Sequence, residues 1–273
     1  MKKLISVLAV LLAGTVLFAE DSNLKIRGRV SSYTQTDYSV TFKFGDPYRT
    51  ITSKKVHVYD ASGLETEVCT YNAKNELLNK ATFTYDVSRN LTGITLADAS
   101  GSVITKTAFE YDTNGSLKSE SEYNQAAKLT GKTIYKYEAS RKTESYYNGN
   151  GALLSRTITI PSLNGPAEIS EYYGDGSLSK RQVFTYAENG NLTQVDVYAD
   201  KSTPVSKEIY KYDSNGNILE MRTYDDAEVL IRRDVYKTDA NGNPTRISVY
   251  EISEKFGGTS SELLTITDYQ YKY

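Results

Sequence analysis

A tyrosine-led turn signature recurs along this chain at alternating intervals, and this rhythm constrains the fold more than any other feature. From Tyr59 to Tyr137 the successive steps are 12, 14, 12, 14, 12 and 14, and the same pair of steps returns between Tyr186 and Tyr212. The fullest examples are Tyr111-Asp112-Thr113-Asn114-Gly115 and Tyr212-Asp213-Ser214-Asn215-Gly216. The repeating unit is therefore a hairpin with a period of 26 along the sequence.

The composition of the signature explains why the chain turns there. An Asp or Asn side chain can bond to the backbone two residues further on, and Asn-Gly tolerates the positive φ of a tight hairpin. Asn-Gly pairs begin at Asn114, Asn148, Asn150, Asn164, Asn189, Asn215 and Asn241. Between turns, polar and apolar residues alternate: in Val103–Tyr111 one face reads Val, Thr, Thr, Phe, Tyr and the other Ile, Lys, Ala, Glu. This period of two predicts strands with one apolar-aromatic face and one solvated face.

These patterns predict an all-β protein. Because the connections are only a few residues long, consecutive strands must be antiparallel neighbours in an up-and-down meander of roughly 16 to 18 strands. We assign residues 59–250 to tandem hairpins, 20–58 to an N-terminal β cap with a turn at Gly45-Asp46-Pro47, and 251–273 to a C-terminal β cap. A curled or spiral extended sheet is favoured because a flat one would leave its aromatic face wet. A flat sheet with both faces solvated is the alternative.

The first residues predict export. Lys2 and Lys3 precede an uncharged apolar run from Leu4 to Phe18, and small Ala19 comes before Glu20. This arrangement is typical of a secretory signal peptide over residues 1–19, with cleavage after Ala19. No later stretch approaches the roughly 20 apolar residues of a spanning helix, so we expect no membrane-spanning segment in the mature chain. The periplasm, the cell surface and the medium all remain possible locations.

The net charge and the cysteine content limit which partners the protein can bind and which covalent links can stabilise it. Removing residues 1–19 takes two lysines from 32 basic groups and leaves 34 acidic groups, so the mature chain has a net charge of −4. Such a balance argues against nucleic acid and anionic lipid as main partners. The single Cys69 cannot form an intramolecular disulfide, and it lies too far from Ala19 to be a lipid-anchored cysteine. Packing and strand pairing alone must hold the fold together.

No residue is predicted to be catalytic, to bind a cofactor or to ligate a metal. The only histidine, His57, lies inside a strand pattern, and zinc sites need three or four His, Cys or carboxylate ligands. The turn chemistry already explains the aspartates that follow the tyrosines, namely Asp60, Asp86, Asp112, Asp213 and Asp225. The loops that begin at Asp213 and Asp239 lack the spacing of an EF-hand. We therefore expect a non-enzymatic protein without cofactors.

The turns at Tyr111, Tyr186 and Tyr212 resemble the tyrosine-aspartate repeats of bacterial RHS-type surface and toxin-shell proteins. The resemblance covers about residues 59–250 and implies a structural role, because hairpins of that family wind into a β-shell. The family's repeat unit is shorter than the one found here. Residues 171–178 are also similar to MORN-like repeats, and the Lys- and Glu-rich hairpins are similar to spirochaetal single-layer sheets.

Three functions from different classes follow. The first is an exported non-enzymatic repeat protein that presents a β-surface to a protein, a glycan or an envelope component. The second is an outer-membrane β-barrel, against which Arg232-Arg233-Asp234 and Lys180-Arg181 place charges on both faces of their strands. The third is an extracytoplasmic hydrolase, which no motif supports. Solubility of the mature chain without detergent separates the first from the second.

Overall fold

The computed structural model describes residues 26–199, 202–255 and 258–273. The predicted signal peptide and its predicted cleavage point lie outside these residues. The described chain contains 18 strands, and no helix lies within these ranges. The strands are β1 Ser32–Lys43, β2 Asp46–Tyr59, β3 Glu65–Asn72, β4 Leu77–Tyr85, β5 Leu91–Asp98, β6 Val103–Tyr111, β7 Leu117–Asn124, β8 Leu129–Glu138, β9 Arg141–Asn148, β10 Leu153–Pro161, β11 Pro166–Tyr173, β12 Leu178–Tyr186, β13 Leu192–Tyr198, β14 Ser206–Tyr212, β15 Ile218–Asp225, β16 Leu230–Thr238, β17 Pro244–Lys255 and β18 Gly258–Lys272. The predicted all-β meander is confirmed.

The sheet closes on itself into a barrel. Every strand pairs antiparallel with its neighbours in sequence, and β1 pairs both with β2 and with β18. The seam between β1 and β18 runs from Ser32 opposite Lys272 to Ser39 opposite Thr265. The sheet is therefore curled, as favoured from the sequence, and it curls until none of the 18 described strands is left as an edge. The two terminal β segments consequently lie side by side at this seam.

The turns form as their sequences predict. In the β6–β7 turn, Asp112 Oδ1 accepts hydrogen bonds from the backbone N–H groups of Asn114 and Ser116, both at 2.9 Å. Gly115 then adopts a φ of +79°, which an L side chain would resist. At most of these turns the ladder shifts register by one residue, as it does next to Tyr111. This extra residue is a β-bulge, and it bends the strand and increases its twist.

The two faces of the sheet differ in burial, which identifies the inner wall of the barrel. In β6, Thr105, Thr107 and Phe109 are half-buried, whereas Ile104 and Lys106 are exposed. The half-buried side chains belong to the concave face, where neighbouring side chains converge. The apolar-aromatic face predicted from the sequence is therefore the inner wall, and the solvated face is the outer wall. An 18-stranded barrel is too wide for its own side chains to fill, which is why the inner wall stays partly wet.

The segment before β1 lies across one end of the barrel. Val30 packs with Tyr33 and Tyr269 in the buried cluster beside the seam. Asn243, which is fully buried, accepts a hydrogen bond from the backbone N–H of Arg27 at 2.6 Å and donates one to the carbonyl oxygen of Arg27 at 2.9 Å. These contacts tie residues 26–31 to the β16–β17 turn.

Candidate binding surfaces

His57 and Cys69 occupy structural positions. His57 lies in β2 on the inner wall, as a strand residue, and its ring stacks on Tyr33 with centroids 4.2 Å apart. Its Nδ1 lies 2.6 Å from Glu65 Oε1. Cys69 is buried in β3, where its thiol contacts Glu67 Oε1 at 3.1 Å. Burial raises the pKa of this thiol, so the reactive thiolate is disfavoured.

The aspartates that follow the turn tyrosines are occupied by turn hydrogen bonds. Asp213 Oδ1 accepts from the backbone N–H groups of Asn215 and Asn217, both at 2.8 Å. These hydrogen bonds hold the pKa of Asp213 below its usual value. Across residues 26–199, 202–255 and 258–273, no group of three or more His, Cys, Asp and Glu side chains is arranged to hold a metal ion.

Tyrosines at the ends of even-numbered strands lie on the inner wall and fasten neighbouring strands together. The Tyr111 hydroxyl donates a hydrogen bond to the carbonyl oxygen of Leu91 at 2.9 Å, and Tyr186 does the same to Pro166 at 3.0 Å. Tyr85 repeats the contact with Glu65 at 2.7 Å. In each case the acceptor lies 20 residues before the tyrosine. Phenylalanine cannot make this bond, which explains why tyrosine rather than phenylalanine marks these turns.

Strands β7 to β9 bring carboxylates together on the inner wall. The Tyr135 hydroxyl donates to Glu120 Oε1 at 2.6 Å, and the Tyr146 hydroxyl lies 3.5 Å from Glu122 Oε2. Burial raises the pKa of both carboxyl groups, and the charge of Glu144 adds to the effect on Glu120. The sequence predicted no such cluster, because Glu144 in β9 approaches Glu120 in β7 only through the strand register.

A row of cations runs around the outer wall at one level of the barrel. It contains one outward-facing Lys or Arg in every even-numbered strand from β2 to β16. These eight residues, named the cation row, are Lys54, Lys80, Lys106, Lys132, Arg156, Arg181, Lys207 and Arg233. Since neighbouring strands lie about 4.8 Å apart and each step also shifts by two residues along the strand, successive members are about 12 Å apart.

Each cation faces a fixed residue on the next strand, which is a tyrosine in every case except Ala97 opposite Lys80. These seven residues, named the tyrosine row, are Tyr71, Tyr123, Tyr147, Tyr172, Tyr198, Tyr224 and Tyr250. Some pairs are in contact: the Arg181 guanidinium lies 4.2 Å from the ring centroid of Tyr198, and the Lys54 ammonium lies 4.4 Å from that of Tyr71. The outer wall therefore presents alternating cations and aromatic rings.

Within the described strands, the outer wall has no tall apolar band. One outward-facing position beyond the cation row, each even-numbered strand carries a small or aliphatic residue, such as Ile134 in β8 or Val235 in β16. Charged residues return two positions later at Lys136 and Lys237. On the other side of the row several strands also carry an exposed aliphatic residue, such as Ile104 in β6 and Ile231 in β16. The cation row therefore divides the apolar residues of the outer wall into two stripes, each about one residue or 7 Å tall along a strand. A lipid-facing wall needs about 25 Å. Among the described residues, no helix is long and apolar enough to cross a membrane.

Comparisons with known proteins give no family. No family model matches the chain, and no curated protein is similar to it. A porin-like protein from Bacteroides uniformis ATCC 8492 is a similar solved structure, with 13% identity, 90% of this chain and 99% of that chain covered, and a TM-score of 0.49. Another is TcdB2-TccC3 without its hypervariable C-terminal region, with 14% identity, 81% of this chain covered and a TM-score of 0.27. The match spans only 15% of that second protein.

At these identities and TM-scores, neither structure assigns a function to this chain. The resemblance to tyrosine-aspartate repeats therefore remains a prediction from the sequence.

Proposed function

We propose that this protein is an exported, non-enzymatic β-barrel that remains in water and binds an extracytoplasmic partner through its patterned walls. The observation that carries the proposal is the outer wall, where the cation row and the tyrosine row alternate around the barrel. A wall of this kind suits a polar partner, because tyrosine offers an amphipathic contact surface and Lys or Arg offers directed charge.

The inner wall supports binding better than catalysis. Glu120 and Glu122 are neighbours on one face of one strand, whereas glycoside hydrolysis uses two carboxylates on opposite sides of the scissile bond. The Nδ1 atom of His57 lies against Glu65 and its ring is stacked on Tyr33, so the imidazole is held inside the wall. These groups therefore fit roles in fixing strand register.

An outer-membrane β-barrel is the second candidate, and the closed architecture favours it over an open scaffold. A closed barrel satisfies every backbone hydrogen bond in its wall, as spanning strands require. The outer wall opposes this candidate. Lys106, Arg156 and Arg233 each occupy the fourth of nine positions in their strands, so they would lie near the middle of the bilayer. Each such cation would cost about 2–4 kcal/mol at the bilayer midplane.

Fractionation of cells that express the full chain separates the two candidates. We expect the mature protein in the detergent-free supernatant after ultracentrifugation, with β-sheet circular dichroism that does not change when detergent is added. Recovery only from detergent-extracted membranes would contradict the water-exposed barrel and support the membrane barrel. Protease treatment of intact cells then distinguishes the periplasm from the cell surface.

A further inference from the structure

The cation row divides into two sectors that differ in how their side chains are used. In the sector from β12 to β17, the Arg181, Lys207 and Arg233 side chains lie over the rings opposite them, at 4.2, 5.6 and 5.0 Å from the centroids. Two of these three cations also approach a carboxylate: Lys207 lies 3.0 Å from Glu228 and Arg181 lies 3.6 Å from Glu168. The three cations of this sector therefore contact groups of the protein itself, although Arg233 Nε is buried without a hydrogen-bond partner in the described chain.

The sector from β6 to β11 has the same register but lacks these contacts. Lys106 faces Tyr123, Lys132 faces Tyr147 and Arg156 faces Tyr172. Among the residues that the structure describes, these three cations form no ion pair and no cation–π contact, and the hydroxyl groups of the three tyrosines make no hydrogen bond to protein. We name these six residues the open sector.

The surroundings of the open sector favour anions. On the preceding strand, each cation lies opposite a small polar residue, namely Thr95, Ser121 and Ser145. These neighbours carry no negative charge that could compensate the cation. The outer-wall acids of the same strands lie towards the opposite end of the barrel. Glu138 is paired with Lys136 and Arg141, and Glu110 accepts a hydrogen bond from Ser119 at 2.9 Å. An anion that approaches the open sector therefore meets uncompensated positive charge.

We infer that the open sector binds a linear anionic polysaccharide laid around the barrel across strands β6 to β11. The cation spacing of about 12 Å suits a chain polymer with regularly placed carboxylates or sulfates. Between the cations, a half-exposed tyrosine ring can stack on the apolar face of a sugar and its free hydroxyl can hydrogen-bond to the sugar. The net charge of the whole chain does not reveal this positively charged surface, because acids at the turns and on the inner wall offset its charge.

This inference rests on the proposed binding role of the barrel, and a matched pair of triple variants tests it. The probe is polygalacturonate, titrated into the full mature protein at about 20 mM and about 200 mM salt, where screening differs strongly. The test variant is Lys106→Gln with Lys132→Gln and Arg156→Gln. The control is Arg181→Gln with Lys207→Gln and Arg233→Gln, which removes the same charge at the same level of the barrel. Circular dichroism and the unfolding midpoint verify that both variants fold.

We expect the test variant to bind polygalacturonate at least about tenfold more weakly than the native chain, since three exposed ion pairs contribute up to about fivefold each. The control should lose about threefold or less. Binding should weaken at the higher salt concentration, and a neutral, fully methyl-esterified galacturonan should not bind.

Three results would overturn the inference: no binding at low salt, equal losses in both variants, or tighter binding of single-stranded DNA that depends on the same three cations. A third variant, Tyr147→Ala, tests stacking, and unchanged affinity would contradict the role given to the tyrosines. The proposed function fails in a different experiment, namely when the mature chain requires detergent.

Discussion

Removal of a tyrosine hydroxyl should destabilise the barrel when the tyrosine lies on the inner wall, but have little effect when it lies on the outer wall. The Tyr111 hydroxyl donates to the carbonyl oxygen of Leu91 at 2.9 Å, and Tyr111→Phe removes this bond while keeping the ring. Burial raises the pKa of Tyr111, so the hydroxyl is a protonated donor throughout the neutral range. A hydrogen bond of this kind contributes about 1 kcal/mol to the free energy of unfolding.

The same contact at Tyr85 and Tyr186 allows a larger test. The three hydroxyls lie two or more strands apart and donate to different carbonyl oxygens, so their effects should add to about 3 kcal/mol in the triple Phe variant. Urea unfolding measures the loss, and thermal unfolding should show a decrease of about 2–4 °C per kcal/mol.

Tyr123→Phe provides the matched control, because Tyr123 is a strand-end tyrosine on the outer wall whose hydroxyl makes no hydrogen bond to the described part of the protein. We expect its unfolding free energy to change by less than about 0.5 kcal/mol. If Tyr123→Phe and Tyr111→Phe have equal effects, the distinction between the two tyrosine rows is wrong, and the tyrosines act only as aromatic bulk.

Three further predictions follow from the repeat, from the inner wall and from the turns. Deletion of residues 111–136, a full hairpin, should leave a folded barrel of 16 strands. Deletion of residues 111–122 leaves an odd number of strands, which cannot close with antiparallel pairs. Size exclusion and circular dichroism distinguish the two variants, and equal folding of both would contradict the closed meander. Burial raises the pKa of Glu120 above its usual 4.5, so the contribution of this side chain to stability is present at low pH and is lost as pH rises through the folded-state pKa. The Glu120→Gln variant should therefore be more stable than the native chain at pH 7 and should lose this advantage near pH 4. An advantage independent of pH would refute the assignment. Ala127 has a φ of +56° at the turn position where Gly115 has a φ of +79°. The Ala127→Gly variant should therefore be stabilised and the Gly115→Ala variant destabilised, each by about 1 kcal/mol in urea unfolding. Changes of the same sign would contradict the turn geometry.

The hairpins could be predicted from the sequence because the information is local. Asp112 and Gly115 fix a turn within a few positions, and the alternation in Val103–Tyr111 fixes which side chains share a face. Each of these signals acts over distances shorter than one repeat. They determine strand number and direction, and both agree with the structure.

Closure could not be derived in the same way. The seam pairs residues 32–39 with residues 265–272, and both segments contain Thr and Tyr much as the other strands do. Nothing local marks these strands as partners. The decisive contacts, such as Asn243 with Arg27, join distant parts of the chain, with a sequence separation of 216 in this pair. A meander of this kind therefore predicts curvature but not the point at which the ends meet.

The cation row was present in the sequence but is masked by the net charge. Lys54, Lys80, Lys106 and Lys132 follow each other with a period of 26, and Lys207 and Arg233 repeat this spacing. A search for this period in charge, in addition to the tyrosine signature, would have found it. The split into satisfied and open sectors needs the side-chain positions, because both sectors have the same residue types at the same register.

Closure of the barrel is tested most directly by a cross-link at the seam. Thr34 lies opposite Gln270 on neighbouring strands, so their Cα atoms are within reach of a disulfide. With Cys69→Ser as background, Thr34→Cys with Gln270→Cys should oxidise rapidly within one monomer and shift the band in a non-reducing gel. Thr34→Cys with Ser145→Cys, which places the second cysteine in distant β9, is the control and should not form this bond. Rapid oxidation of the seam pair alone is the predicted result; a seam pair that stays reduced in the folded monomer would show that the sheet is open.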